Sequence, residues 1–449
     1  DWKNTVFFTV TGRNDWTSTL PLADRSYFYP SFSGSVVFTE FLPKMDWLNF
    51  GKIRASYARV GKDTGAYETN TSLWPVGTYI GDKVGVGNTW TRGNPYLKPE
   101  ITKSTEIGLE MRFFDNRLNL DYAYYTNDSY NQILSPRGPQ STGYIFTSIN
   151  AGNVYNKGME LSISGPPVKN KNLIWETGIN IAGNRGTMDG LPEGMDVMYV
   201  TDVQFGNAKA ASFSGGDFMA IAGTKWTRTD DGKIILDKNG MPTSDKNTYQ
   251  IGNRESKFTG GWNNTLTYKS WTLNVLWEFR KGGHVYNGTK YDMTNAGTSK
   301  FSGDVRDHLV INGVEKVGDE YVDRSYEWNA DQTYVFNGVT MSGANIIKNY
   351  YTSYYTLESA NYMTDVNALR LRTVSLSYDV PKVLLNKLKV IKRAVFNVSA
   401  NNVLLFTNYD GDPEVAAAGS GRGGSSSVGF DYHGVPSTSS MALGLNLTF

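Results

Sequence analysis

The sequence predicts an all-β fold, a transmembrane antiparallel β-barrel with about twelve strands in this chain. Two observations carry that expectation. Apolar and polar residues alternate with period two over segments close to the roughly 9–11 residues that a tilted strand needs to cross a bilayer. The connections between these segments alternate between short and long, as in a barrel with short turns on one side of a membrane and long loops on the other.

Strands are expected near 4–13, 31–40, 51–60, 101–112, 117–127, 156–164, 172–184, 257–268, 271–281, 367–378, 393–402 and 440–449. In the fifth, Leu118, Leu120, Tyr122 and Tyr124 share one face and Asn119 and Asp121 the other. The ninth sets Trp271, Leu273, Val275, Trp277 and Phe279 against Thr272, Asn274, Glu278 and Arg280. The tenth changes phase. Leu369 and Leu371 lie in one register and Val374, Leu376 and Tyr378 in the other, which either a bulge near Arg372–Thr373 or a late strand start would explain. The eleventh opposes Ala394, Phe396, Val398 and Ala400 to Asn397, Ser399 and Asn401. The last places Met441, Leu443, Leu445, Leu447 and Phe449 on one face. On a helix, steps of two would scatter these side chains around the axis.

Short connections include Phe113–Asn116, Gly165–Lys171 and Lys269–Ser270, and long ones fall near 61–100, 128–155, 185–256, 282–366 and 403–439. A first strand that leads outward puts Phe449 on the periplasmic side. Hydrocarbon offers the backbone no hydrogen bonds, so every spanning strand needs neighbours on both edges.

Composition fits this frame. Aromatic residues make up 13% of the 449 residues, glycine contributes 47, cysteine is absent and the net charge is +1. Disulfide scaffolds and Cys-based metal sites are excluded, and the charge gives no bulk attraction to nucleic acid. Mean hydropathy is −0.40. No apolar run reaches the length of about 18 residues that a transmembrane helix needs. The opening DWKNTVFFTV lacks an initiator Met and a signal-peptide pattern, so the sequence reads as a piece of a longer chain.

Catalytic, cofactor and metal sites find little support. His284, His308 and His433 are far apart and read as solvated loop residues. Gly419, Gly421 and Gly424 spell G-x-G-x-x-G, but between AAA and SSSVG they read as a flexible loop. In Thr229–Pro242, Asp231–Gly232 and Asn239–Gly240 read as hairpin turns around Ile234–Leu236 rather than as a calcium loop. Two sets of side chains are candidates for contacts. Trp74, Tyr79, Trp226, Trp328, Tyr350, Tyr351, Tyr354 and Tyr355 lie in the long loops. They would meet a ligand or partner, or else pack among themselves or in an interface girdle. Arg54, Glu106, Glu110, Asp121, Glu176, Glu278 and Arg280 lie on the polar faces and would line the lumen.

Several blocks resemble the C-terminal barrel portion of SusC/RagA-type TonB-dependent outer-membrane transporters. They are Tyr27–Glu40 (YFYPSFSGSVVFTE), Phe50–Asp63 (FGKIRASYARVGKD), Asn94–Glu100 (NPYLKPE), Glu106–Asp121, Asn150–Leu161, Ile251–Trp262, Ala368–Tyr378 and Ser399–Glu414 (SANNVLLFTNYDGDPE), followed by Gly429–Gly434 and Leu443–Phe449. The sequence departs from the pattern at Arg254, Glu255 and Ser256, and Gly434–Ser440 lacks the usual second Pro and Arg. The resemblance implies a plugged barrel of 22 strands, with the plug, TonB box and N-terminal strands lying outside this sequence. It also implies a SusD-like surface lipoprotein as lid and coupling to the TonB complex. The implied cargo is an oligosaccharide or peptide, and the implied location is the outer membrane of a Gram-negative bacterium. Lumen residues would then face the plug, and no covalent chemistry would be performed. A self-contained passive pore or adhesion barrel, and a soluble carbohydrate-binding sandwich, are the competing readings.

Overall fold

The computed structural model describes residues 1–81, 83–200, 204–385, 390–415 and 428–449, with side chains at 76–80 and 84 left out. The G-x-G-x-x-G glycines Gly419, Gly421 and Gly424 lie outside the described residues.

Twelve strands follow one another in a single antiparallel meander in chain order. They are β1 (Val6–Trp16), β2 (Ser26–Val37), β3 (Leu48–Lys62), β4 (Glu100–Phe113), β5 (Leu118–Tyr130) and β6 (Asn153–Lys169). The path continues through β7 (Leu173–Asp189), β8 (Phe258–Tyr268), β9 (Trp271–Asn287), β10 (Met363–Asp379), β11 (Arg393–Thr407) and β12 (Ser440–Thr448). Each overlaps a segment in which the sequence alternates. Several run further than the alternation does, because the backbone ladder continues past the last apolar side chain.

The faces are inverted relative to a water-soluble sandwich. Ile53 is 49% exposed and Ile107 56%, while Arg54 on the opposite face of β3 is partly covered. Tyr57, Tyr124, Trp262, Leu376, Phe396, Val398 and Leu443 are likewise exposed. Leaving an Ile or Phe in water costs about 1.5–3 kcal/mol per side chain. A row of them on most of the strands is the surface of a wall that faces hydrocarbon. The polar face is tied together by its own hydrogen bonds, such as Thr102–Ser129 (2.8 Å), Thr265–Asn274 (2.9 Å) and Thr373–Asn401 (3.1 Å).

The tight turns sit where the chain can take left-handed backbone. Phe114, Asp115 and Asn116 have φ of 54, 56 and 63° between β4 and β5, and Lys269 has φ 52° between β8 and β9. The phase change in β10 is a bulge. Arg372 is skipped in the ladders to both β9 and β11, and Asn402 opposite it has φ 50°. The first connection differs from expectation. Residues 17–25, between β1 and β2, form a link no longer than residues 38–47 on the other side, and the strong contrast between short and long begins only after β3.

Above the sheet, the described residues of the segments 190–257, 288–362 and 408–439 carry their own structure. A hairpin of His308–Val317 and Glu320–Asn329 pairs with Ile235–Leu236, which comes from the preceding loop. The turns at Gly232 and Gly240 have φ 86 and 77° and bracket that strand, as the Asp-Gly and Asn-Gly pairs indicate. The two loops share one apolar core, with Leu236 and Met241 from the first and Leu309, Ile311, Phe336, Ile346 and Ile347 from the second.

Candidate functional site

The polar face of β3–β5 builds a charge cluster from three strands. Arg54 donates from both terminal nitrogens to the Asp121 carboxylate (2.9 and 3.2 Å) and from Nε to Glu106 (3.3 Å). The reach across β4 is possible because Gly108 lies opposite Arg54 in the ladder. Glu110 accepts instead from Arg112 (2.9 Å). Glu176 stands exposed on the same face of β7, which shares a mixed hollow where Asp121, Glu160, Ser162, Asn180 and Thr259 meet Leu161, Ile181 and Ala182.

A second cluster lies on β9 and β10, and here the last long loop dips inward. Arg370 is 4% exposed and pairs with Asp412, which is also buried. The bulge at Arg372 aims its side chain along the same face. Its Nε donates to Glu278 (2.7 Å), and its terminal nitrogens reach Asn402 (2.9 Å) and Glu414 (2.8 Å). Arg280 donates to the carbonyls of Gly282 (3.2 Å), Gly283 (3.0 Å) and Pro413 (3.4 Å). Burial pushes the Asp412 carboxyl upward. The opposing N–H groups of Glu414 and Ser437 (3.0 and 3.1 Å), together with the Arg370 charge, outweigh it and hold the group below the ordinary carboxylate value. Sequence reading singled out Glu278 and Arg280 but missed Arg370, Asp412 and Glu414. Arg370 sits in the polar phase of β10, which was the available signal.

The loop aromatics divide into three groups. Trp328, Tyr350 and Tyr351 are interior, between 5 and 7% exposed, in the core shared by the two large loops. Of the two roles expected for these rings, contact with a ligand or partner and packing among the loops, their placement fits the second. Burial pushes the Tyr350 hydroxyl far up and that of Tyr351 up to about 12. Trp226, Tyr354 and Tyr355 are half-buried at the margin of this core. Trp226 Nε1 donates to the Tyr354 carbonyl (2.8 Å), and its ring meets the edge of Tyr355 at 6.3 Å. Trp74 is exposed on a separate hairpin, its Nε1 donating to the Asn88 carbonyl (2.8 Å). The side chain of Tyr79 lies outside the described residues.

Arg254, noted above as a departure from the family pattern, pins two loops together. Its Nε donates to Ala220 (3.3 Å), Nη1 to Val428 (3.0 Å), and its guanidinium lies over the Phe430 ring. Burial lowers its pKa to about 10. The histidines are less uniform than expected. His284 belongs to β9, with Nδ1 3.2 Å from the Asn253 backbone. His308 and His433 lie beside Glu327 and Asp292, each at 2.7 Å. Among the described residues no group of three or more His, Asp or Glu is arranged to hold a metal ion.

The chain matches known proteins over most of its length. The family described as "TonB dependent receptor-like, beta-barrel" matches residues 1–313. TonB-dependent receptor P3 of Formosa agariphila is 27% identical over 479 aligned residues, covering 100% of this chain and 44% of that receptor. TonB-dependent receptor SusC of Bacteroides thetaiotaomicron is 25% identical over 223 residues, 46% of this chain and 22% of that protein. The solved RagAB peptide transporter superposes with a TM-score of 0.72 at 19% identity, over 99% of this chain and 46% of that chain, a likeness of fold. The chain therefore spans less than half the length of these relatives. TonB-dependent receptor β-barrels reside in the outer membrane of Gram-negative bacteria. With a family match over more than half its residues and a twelve-strand membrane-type sheet, this chain belongs to the TonB dependent receptor-like β-barrel family.

Proposed function

We propose that this chain is the C-terminal part of the barrel of an active importer, supplying pore wall and outer binding surface for oligosaccharides or peptides. The observation that carries the reading is the open sheet: among the described residues no ladder joins β1 to β12. A self-contained pore would close on itself to remove both edges. Two unpaired edges fit a wall that further strands complete, together with a plug that would meet Arg54, Glu106, Glu110, Asp121, Glu176, Glu278 and Arg280. The kinship with SusC and the fold likeness to a peptide transporter support import and a SusD-like lipoprotein lid.

In this reading the long loops are extracellular and Phe449 is periplasmic. Trp74, Tyr79, Trp226, Tyr354 and Tyr355 serve ligand or lid, while Trp328, Tyr350 and Tyr351 hold the loops in shape. The TonB complex acts through the N-terminal part to remodel the plug. The chain itself performs no covalent chemistry.

The test has two arms. Residues 1–449 expressed alone should fail to form an SDS-resistant, ion-conducting barrel, whereas the full receptor purified from outer membranes should bring a surface lipoprotein with it. Ion conduction by the isolated segment would favour the passive pore. Loss of growth on oligosaccharide or peptide after deletion of the full receptor would name the cargo class.

A further inference from the structure

The outer wall carries a basic patch that the transport reading does not use. On the apolar side of the sheet, Arg59 on β3 stands directly opposite Lys103 on β4, and Lys157 on β6 directly opposite Arg185 on β7. Like charges facing each other across an antiparallel pair are about 5 Å apart and destabilise it. Arg185 is relieved by the buried Asp217, which also accepts from Gln250 (2.7 Å). The others have no such relief. Lys103 lies only over the Tyr130 ring, 4.9 Å from its centre, and Arg59 and Lys157 have no hydrogen-bond or ion-pair partner among the described residues. Asp128 is the one carboxylate between them, opposite Lys103 in the ladder. The patch is left with three cations against one anion.

Its position is specific. Toward the short-turn side the same face carries Tyr57, Thr105 and Thr126 level with Lys157, then Ile107, Tyr124 and Met159, then Ile53, Leu109, Tyr122 and Leu161. Tyr130 and Tyr155 meet edge to face at the level of the cations. The order apolar, aromatic, cationic is that of a membrane interface. The cations thus sit where headgroups lie, at the end of the wall bearing the long loops.

We infer that Arg59, Lys103 and Lys157 form a binding site for a phosphorylated glycolipid of the outer leaflet. Its acyl chains would lie along the Ile53–Leu109–Leu161 face, and its phosphates would bridge cations that otherwise repel. This rests on the orientation proposed above.

The full receptor in detergent is titrated by native mass spectrometry with lipid A bearing both phosphates. We expect one saturable adduct, weakened about tenfold by Arg59→Gln and again by Lys157→Gln. Lys157→Arg should restore it, and Lys316→Gln, on a loop strand, should change nothing. Dephosphorylated lipid A should bind at least tenfold more weakly. In lipid-free detergent the Gln variants should melt no lower than the parent, since repulsion is relieved. Equal binding by the variants overturns the site. Equal competition by phosphatidylglycerol overturns glycolipid selectivity, and displacement by millimolar inorganic phosphate points to a free-anion site instead. Labelling of an Asp331→Cys receptor on intact cells by an impermeant maleimide tests orientation separately. Failure there sinks the underlying reading, whereas labelling without lipid A binding sinks only this one.

Discussion

Gly108 lies beneath the Arg54 guanidinium. A Cβ built on it would run into Arg54 Nε and Cζ. The glycine leaves the space through which Arg54 crosses β4 to Asp121. Gly108→Ala should therefore cost about 1–3 kcal/mol, since overpacking adds to a lost, partly exposed ion pair. In an Arg54→Ala background the same change should be nearly neutral, because the two effects share one cause. Denaturant midpoints of the four barrels check this. Additive costs would mean that Gly108 is needed for some other reason.

Arg370 and Asp412 make a second prediction. Removing one partner of a buried ion pair leaves a charge without compensation, so Arg370→Met should destabilise by about 3–5 kcal/mol. The double variant with Asp412→Asn should recover most of that loss. The pH dependence follows from the depressed Asp412 pKa. A lowered carboxylate contributes stability above its unfolded value, near 3.9, and loses it as pH falls through the folded value. Protease nicking of the 408–415 segment should rise below about pH 4 in the parent. Asp412→Asn should remove that acid dependence.

The loop core should fail on the alkaline side. Tyr351 is pushed up to about 12 and Tyr350 further, by burial above all. A raised folded pKa gives stability that is complete below the unfolded value near 10 and drains away above it. Limited proteolysis of the 288–362 loop should accelerate between pH 10 and 12 while the sheet survives. Tyr350→Phe with Tyr351→Phe should shift that onset upward. An unchanged onset would mean that other groups govern the opening.

The strands were legible because their signal is local. A residue at i and its neighbours at i+2 and i+4 share a face whatever the rest of the chain does, so even the slip at Arg372 showed as a change of phase. The loop aromatics were not legible in this way. Trp328 and Tyr351 are interior because Leu236 and Met241, from a different loop, close over the same core. Nothing near them in sequence distinguishes them from the exposed Trp74. Asp412 was missed for the same reason, and the polar phase of Arg370 gave no sign of its partner, as the pair exists only because the last loop folds back onto β10.

The side on which lipid lies is the remaining prediction. In β12, Leu443 pairs with Val398 and Leu445 with Phe396, all on the exposed apolar face, while Ala442 faces Ser399 in the polar phase. In the full receptor Leu443→Arg should cost about 2–4 kcal/mol if it sits near the midplane, and Ala442→Arg under about 1 kcal/mol, since charge is penalised only on the lipid face. Nitroxide labels at Leu445 and Asn446 give an independent readout, because oxygen concentrates in hydrocarbon. Oxygen should relax the label at Leu445 more than the one at Asn446. The opposite order, with Ala442→Arg the costlier change, would turn the wall inside out and make the exposed apolar row the lining of a core.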